Sequence, residues 1–385
     1  MGKRVLVTGS NGSYGSALVL ELLKQGYEVY ATDIVVPERP IKNFIQADIT
    51  KPEEVAKFPE VEAVIHPAGV IDVLATDMHK AVHLDGTKNI INHYKDNYND
   101  TLKVFVTVSS AAIHGGTPED TLIDEDRPRT LKDSYTTSKA EEADLTRELI
   151  GDRCIIIEPA LVYDEKNRYM FKEIVEMIAL KLLVFLPEHG SYKLNMVYPY
   201  DLATGTLCAM ERGDFGEAYI ICDDYPLKLK DIADMVAAET SVRPLTLGIK
   251  KETLQRLMGQ MDNLQAMLPA LQGMEPLSTM LENMGLDLGA GLELPIDPDY
   301  MTTHHHFTNA KLKEASKNNS GRWRVDPTSV DYFKDGWKPV INPFEKMPEV
   351  IRYWTSTRPP IIPKDSDLQD VVEFLFRYVQ DFLEK

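Results

Sequence analysis

Residues 3–15 read KRVLVTGSNGSYG, a short β-branched run that leads straight into three glycines, Gly9, Gly12 and Gly15. The stretch at 15–26, GSALVLELLKQG, spaces its apolar residues at helical intervals and stops at Gly26. A strand, a glycine-rich turn and a helix start together make a seat for a phosphate group. Glycine permits positive φ in the turn and lets the backbone approach a pyrophosphate. The helix N-terminus adds unpaired N–H groups and the positive end of its dipole. The spacing is G-x-x-G-x-x-G, and a tight turn without a ligand would read the same way.

Asp33 separates the two readings. It ends the next strand, YEVYATD at 27–33, at the distance where an acid accepts the hydroxyls of an adenosine ribose. A carboxylate there repels a 2′-phosphate, and no Arg or Lys follows until Arg39. NAD is therefore expected as cofactor rather than NADP.

Further strands follow in FIQAD, EAVIHPAG, KVFVTVSS and CIIIEPALVY, separated by helical segments such as 77–97 and 138–151. Continuous apolar strands alternating with helices imply an α/β fold, a doubly wound parallel sheet of Rossmann type covered on both faces. Residues 1–165 are expected to form this nucleotide-binding domain, with some later segments returning to it, and 166–385 a smaller α/β substrate lobe. In that lobe, NRYMFKEIVEMIALKLLVF at 167–185 reads as helix. Residues 243–305 are rich in Met and Leu and read as a helical insertion, either a cap over an apolar substrate or a hairpin closing its own core or an interface. The last segment, LQDVVEFLFRYVQDFLEK, reads as a helix after a Pro-rich linker, and Trp323, Trp337 and Trp354 are expected to pack the second lobe.

The chain has 385 residues and a net charge of −18, which disfavours nucleic acid and anionic membrane surfaces as partners. The three cysteines, Cys154, Cys208 and Cys222, lie in apolar contexts without a CxxC, so neither a disulfide framework nor a zinc site is expected. The N-terminus enters a strand almost at once, and the longest apolar stretch is too short for a membrane span. A cytoplasmic protein is the expectation.

A second constellation follows the fifth strand. Ser110 ends it, and Tyr135 and Lys139 lie i, i+4 on one helix face in DSYTTSKAEEADL. An ammonium beside a phenol is expected to lower the tyrosine pKa from its ordinary value near 10, so that Tyr135 can exchange a proton with a substrate oxygen. Ser110 would hydrogen-bond the same oxygen, and Lys139 has the reach to hold a ribose. Y-x-x-x-K also occurs by chance on many helices; its weight comes from its order and distance relative to the glycine turn.

With TGSNGSYG, Asp33, ADI, VIHPAG, HLDGTKNI, VSSAAIHGG and YTTSK on the page, the sequence resembles the extended short-chain dehydrogenase/reductase superfamily, over roughly residues 3–240. That branch holds NAD-dependent sugar-nucleotide epimerases and dehydratases and 3β-hydroxysteroid dehydrogenase-like enzymes. The resemblance implies that Gly9, Gly12 and Gly15, with Asn11, Ser13 and Tyr14 between them, seat the pyrophosphate. It implies that Asp33 holds the adenine ribose, that Asp48 and Ile49 flank adenine, and that Ala68 and Gly69 lie along the cofactor. Pro159 to Val162 would line the nicotinamide side, and Ser110, Tyr135 and Lys139 would carry the chemistry. It also implies a homodimer through the helices around 77–96 and 135–150.

Three departures stand out: Pro67 in place of the usual Leu, His83 where the family has Asn, and Glu158 where an Arg commonly precedes the proline. Position 164 is Asp, so the YGP of nucleotide-sugar enzymes is missing. A carboxylate is unhelpful beside a nucleotide diphosphate. The expected function is oxidation of a secondary alcohol, or reduction of the ketone, on a lipophilic or steroid-like small molecule. The alternatives are a nucleotide-sugar epimerase or dehydratase with transient hydride transfer, and a non-catalytic NAD-sensing module. The internal His304–His306 run lacks companion ligands, so no metal is expected; one of the three facing the substrate lobe, and His114 lining the pocket or a turn, stay open.

Overall fold

The computed structural model describes residues 3–72, 75–166, 175, 184–240, 246–250, 302–318 and 331–356. Its strands, in chain order, are β1 (Arg4–Val7), β2 (Glu28–Asp33), β3 (Phe44–Gln46), β4 (Ala63–His66), β5 (Val104–Val108), β6 (Cys154–Pro159), β7 (Leu161–Val162), β8 (Val184–Pro187), β9 (Lys193–Leu194), β10 (Met196–Val197), β11 (Ala218–Ile221), β12 (Leu227–Lys228) and β13 (Thr246–Ile249). The helices used below are α1 (Ser13–Lys24), α2 (Pro52–Val55), α3 (Thr76–His79), α4 (Thr87–Tyr98), α5 (Ser134–Ile150), α6 (Pro199–Arg212), α7 (Leu229–Thr240), α8 (Ala310–Asn318) and α9 (Pro343–Ser356).

One seven-stranded sheet runs β3-β2-β1-β4-β5-β6-β11, and every pairing in it is parallel. This is the doubly wound order, and its direction of winding reverses between β1 and β4. Side chains alternate across it. Val5, Val7, Ile65, Val106 and Ile157 pack one face with Leu18 and Leu22 of α1 and Leu202 and Leu207 of α6. Leu6, Val64, Phe105 and Cys154 pack the other with Ile90, Ile91 and Tyr94 of α4. Both faces are dry, which is why the strands read as unbroken apolar runs. Segments from the second half return to this sheet: β11 extends its edge and α6 lies on the face that carries α1.

The second lobe has its own core, in which Tyr163, Leu186, Met196, Ile232 and Val236 meet Met347, Val350, Ile351 and Trp354 of α9. Its strands are short and pair in twos, β10 with β7, β12 with β9 and β13 with β8. Three expectations are corrected here. CIIIEPALVY breaks at Ala160, because β6 belongs to the large sheet and β7 pairs instead with β10. The helical reading of 167–185 fails at its end, where β8 begins, and that of 243–305 fails at its start, where β13 runs parallel to β8. Each of these strands is held by a partner distant in sequence, which local periodicity cannot register. Residues 251–301, Trp323 and the C-terminal segment lie outside the described residues.

Among the described residues no helix is long and apolar enough to cross a membrane, and all three cysteines are buried and free. Ile65 is fully buried and pairs with Val7 on one side and Val106 on the other. Ile65→Ala is expected to lower unfolding free energy by about 3 kcal/mol in denaturant titration, the usual cost of such a cavity; a loss below about 1 kcal/mol would contradict this packing.

Candidate active site

At the carboxyl ends of the strands the chain encloses a cavity of about 1040 Å³. Such crevices at the switch point are where open α/β sheets bind ligands, and the volume is at the upper end for small-molecule sites. Its wall includes Gly9, Asn11, Gly12, Ser13, Tyr14 and Gly15 from the first turn, Asp33, Asp48, Ile49, Ala68 and Gly69 from the next strand ends, and Ser110, Tyr135, Lys139, Pro159 and Val162. Every residue that the sequence singled out for cofactor or catalysis is on it.

The three glycines do different things. Gly9 has φ +55, and a Cβ there would come within 2.9 Å of Ala68 Cα. A Cβ on Gly15 would lie 2.1 Å from Gly9 O, so the helix can pack on the turn only without one. Gly12 is under no such constraint; its nearest neighbour would be 3.3 Å away. It is the N-cap of α1 and has no capping side chain. The first turn of α1 therefore faces the cavity with an open, positive N-terminus, which fits a pyrophosphate. Tyr14 turns its hydroxyl away to Thr206, and Ser13 donates to Asp164 Oδ2 at 2.5 Å.

Asp33 is tied to this turn: Asn11 N–H donates to Oδ2 at 2.9 Å and Val35 N–H to Oδ1 at 3.1 Å. A carboxylate so fixed keeps lone pairs for two ribose hydroxyls. Asp48 takes the backbone N–H and the hydroxyl of Thr50 on Oδ1. Burial acts against its charge, but those bonds and Lys51 hold its pKa below the ordinary value. Ile49 reaches the wall past Gly86, where a Cβ would sit 2.8 Å from Ile49 Cδ1.

The three residues that the sequence reading assigned to catalysis also meet on this wall. Asp133 caps α5 by accepting Thr136 N–H at 2.6 Å, in a capping box. This places Tyr135 in the first turn of the helix, on the same cavity wall as Ser110, which follows β5 and accepts Ala112 N–H at 3.2 Å. Lys139 departs from expectation. It pairs with Glu142, which is completely buried, rather than lending its charge to Tyr135. Burial pushes the Tyr135 pKa up to about 12; the Ser110 hydroxyl nearby works against this, and the charges of Glu142 and Asp133 add to it. The expected lowering is overturned because the Lys139 ammonium is already paired with Glu142.

Between α3 and α4 the helix widens into a π turn over Lys80–Gly86, which carries His83 into the site. Val70 N–H donates to His83 Nε2 at 2.9 Å, so the proton sits on Nδ1 and is donated to Ser138 Oγ at 2.8 Å. The imidazole thus bridges a backbone amide and α5. Burial and the Lys139 charge push its pKa down to about 2. His79 stacks on His83 with ring centres 5.4 Å apart, and both rings meet Tyr135 edge-on.

Glu158 and His114 also find each other. His114 donates from Nδ1 to Arg127 O at 3.0 Å and meets Glu158 Oε2 at 2.9 Å through Nε2, with both side chains 3% exposed. Burial alone would lower the His114 pKa, but the bond to Glu158 and its charge outweigh burial and raise it. His114 is a partner for Glu158, not a wall residue. Residues 302–307 close the substrate end. They bridge to Thr117, Ile123 and Leu194, and extended backbone sends alternate histidines to opposite sides. His306 reaches Asp120, His304 accepts Lys193 N–H, and His305 turns onto the cavity wall with Phe307. Glu142, His79 and His305 had no assigned role in the sequence reading. For Glu142 a signal existed, a carboxylate seven residues after Tyr135 on the same helix face.

Residues 5–222 match the model of the NAD dependent epimerase/dehydratase family. Over 253 residues the chain is 28% identical to a 3-beta-hydroxysteroid dehydrogenase of Mycolicibacterium neoaurum, covering 60% of this chain and 68% of that one. Among solved structures it is similar to the UDP-glucose 4-epimerase of Thermus thermophilus in complex with NAD, with TM-score 0.54 and 23% identity over 64% of this chain and 86% of that one. It is also similar to RMD from Pseudomonas aeruginosa complexed with NADPH, with TM-score 0.60 and 16% identity over 92% of this chain and 99% of that one. At these identities the two structures speak to the fold.

The His114–Glu158 pair has a pH signature. A histidine whose folded pKa is raised contributes stability below its unfolded value of 6.5, and that contribution is lost as pH rises through the folded pKa. Glu158→Gln is expected to cost about 2 kcal/mol at pH 6 and less at pH 9, measured by urea unfolding; a penalty that does not shrink over this interval would show that the imidazole is not charged.

Proposed function

The chain belongs to the NAD-dependent epimerase/dehydratase family, and from that premise we propose that it is an NAD-dependent oxidoreductase interconverting a secondary alcohol and a ketone on a lipophilic or steroid-like small molecule. The observation that carries this reading is the convergence of Ser110, Tyr135 and, one turn further on, Lys139 on the wall of the cavity that the glycine turn also lines. Gly9, Gly12, Gly15 and the N-terminus of α1 would hold the pyrophosphate, Asp33 the adenine ribose, Asp48 and Ile49 the adenine, and Ala68, Gly69 and Pro159 to Val162 the remainder. NAD, when bound, exchanges the hydride with the carbinol carbon. Tyr135 moves the proton at the substrate oxygen, Ser110 orients that oxygen, and Lys139 holds the ribose.

The lipophilic substrate class rests on the wall opposite the glycine loop. Val108, Ala160, Leu161, Val162 and Phe307 line the cavity together with Ser110, and among the described residues the cavity wall carries two Lys or Arg side chains, Lys132 and Lys139. A nucleotide diphosphate asks for more positive charge than that. Glu158, which weighed against a nucleotide sugar, is spent on His114. The similarity to a 3-beta-hydroxysteroid dehydrogenase supports the same class. We place the protein in the cytoplasm, where its buried free thiols need no oxidising partner, and as a homodimer through α4 and α5. Their exposed residues include Lys88, Lys95 and Asp96 on α4 and Glu141, Asp144 and Glu148 on α5.

The test is net NADH formation from NAD with a panel of lipophilic secondary alcohols beside a panel of nucleotide sugars. Net NADH with an alcohol is expected; sugar converted without net NADH would make the protein an epimerase instead. Tyr135→Phe should reduce turnover by about 10²–10⁴-fold and leave NAD binding within about threefold, while Asp33→Ala should weaken NAD more than NADP in calorimetry. Undiminished turnover in the first variant, or equal losses in the second, would remove the assigned roles.

A further inference from the structure

Lys139 is anchored from behind by a chain of four side chains and one amide, all pointing the same way. Ala68 N–H donates to Thr8 Oγ1 at 3.2 Å. Thr87 gives its one hydroxyl proton to Glu142 Oε1 at 2.9 Å, so toward His66 Nε2, 2.9 Å away, it accepts. His66 is therefore protonated on Nε2, and its Nδ1 takes the proton of Thr8 Oγ1 at 2.7 Å. Lys139 Nζ donates to the other oxygen, Glu142 Oε2. Every donor in the chain leads toward the Glu142 carboxylate. Thr8, His66, Thr87 and Glu142 are fully buried, and Lys139 is 5% exposed.

Burial raises the Glu142 pKa, and the Lys139 ammonium and the Thr87 hydroxyl work against that rise; the arrangement supports an anion at Glu142 in a place where an isolated anion would be costly. A buried, preorganised carboxylate in contact with the ammonium cancels most of its field at a third group. Tyr135 is that group. It lies one turn before Lys139 and two turns before Glu142 on the same helix face. We propose that Glu142 is a positioning residue that holds Lys139 back from Tyr135, so that the resting site keeps Tyr135 as a phenol, the form that gives a proton to a carbonyl. The step it prepares is reduction: NADH supplies hydride to the carbonyl carbon, the Tyr135 proton goes to the carbonyl oxygen, and water later reprotonates Tyr135.

This deepens the proposed function and rests on Tyr135 as the proton-transfer group. The ionisable groups that face Tyr135 are His79 and His83 from the widened helix, Asp133 and Glu142 from its own helix and cap, and Lys139. Burial holds the pKa of His66 down to about 3 and that of His83 to about 2, so neither gains charge in the alkaline range where Tyr135 is followed.

The experiment is ultraviolet titration of tyrosinate between pH 7 and 10.5 on the full chain without cofactor, with Tyr135→Phe spectra subtracted to isolate the one residue. In wild type, Tyr135 is expected to stay phenolic throughout. In Glu142→Gln, which keeps the shape of the side chain, the midpoint should fall by about two pH units, into the measured range. In Lys139→Met/Glu142→Gln the residue should remain phenolic, because the effect runs through the lysine. Ionisation of wild-type Tyr135 below pH 10 overturns the proposal without reference to any variant's folding. So does an unshifted midpoint in Glu142→Gln, or the same midpoint with and without Lys139. The titration needs neither substrate nor NAD, so its failure is distinct from an absence of NADH formation.

Discussion

The site depends on a backbone-to-backbone contact that leaves no room for a side chain. Gly15 meets Gly9, and Gly9 meets Ala68, at separations where an added Cβ would fall 2.1 Å and 2.9 Å from backbone atoms. The first contact sets α1 hard against the turn and aims its N-terminus at the cavity. The second seats the turn on the segment after β4, across the switch point. If either segment moved out by the width of a methyl group, the cradle between β1 and β4 would lose its shape. Ala68 also begins the chain of donors that ends at Glu142 and Lys139. The glycine turn and the buried chain that reaches Lys139 are thus joined through Ala68, by packing at its Cα and hydrogen bonding at its N–H.

This connection explains why some of the site is plain in the sequence and some is not. The glycine turn, Asp33 and the Tyr135–Lys139 pair are local: their meaning lies in spacing along one turn, one strand end and one helix, and spacing is what a sequence displays. The large sheet is similarly plain, because strands buried on both faces must be apolar throughout. Glu142 is local as well, yet a lone acid on a charged helix reads as solvated surface, since nothing nearby in sequence announces Thr87 and His66 behind it. The short strands of the second lobe are hidden for a different reason. β8 and β13 are defined by each other across a long separation in sequence, and a run such as LLVF suits a helix equally well until that partner is in place.

The two departures from the family pattern that looked most disruptive prove to be compensated. His83 replaces an amide but keeps a donor and an acceptor in use, one to Ser138 and one from Val70. Glu158 brings a buried carboxylate to the substrate end, and His114 supplies the opposite charge one strand over. The same residue type does opposite electrical work in the two places. Near Lys139 and deep in the fold the imidazole stays neutral; against Glu158 its pKa is raised, so its charged form is favoured.

Together these pairings leave Tyr135 with negative charge, from Glu142 and Asp133, acting on it from its own helix and cap. Its two aromatic neighbours are imidazoles, one of them, His83, held neutral, and Lys139 on its helix face is tied to Glu142. A phenol in such surroundings has no internal reason to ionise, and burial opposes it further. Whatever favours the phenolate must therefore arrive with a ligand, either as positive charge placed beside the ring or as ribose hydroxyls that draw the Lys139 ammonium off its carboxylate. Loading of the cofactor cradle and the proton affinity of Tyr135 are then linked, because both act on the one ammonium that the cavity wall shares with the buried chain.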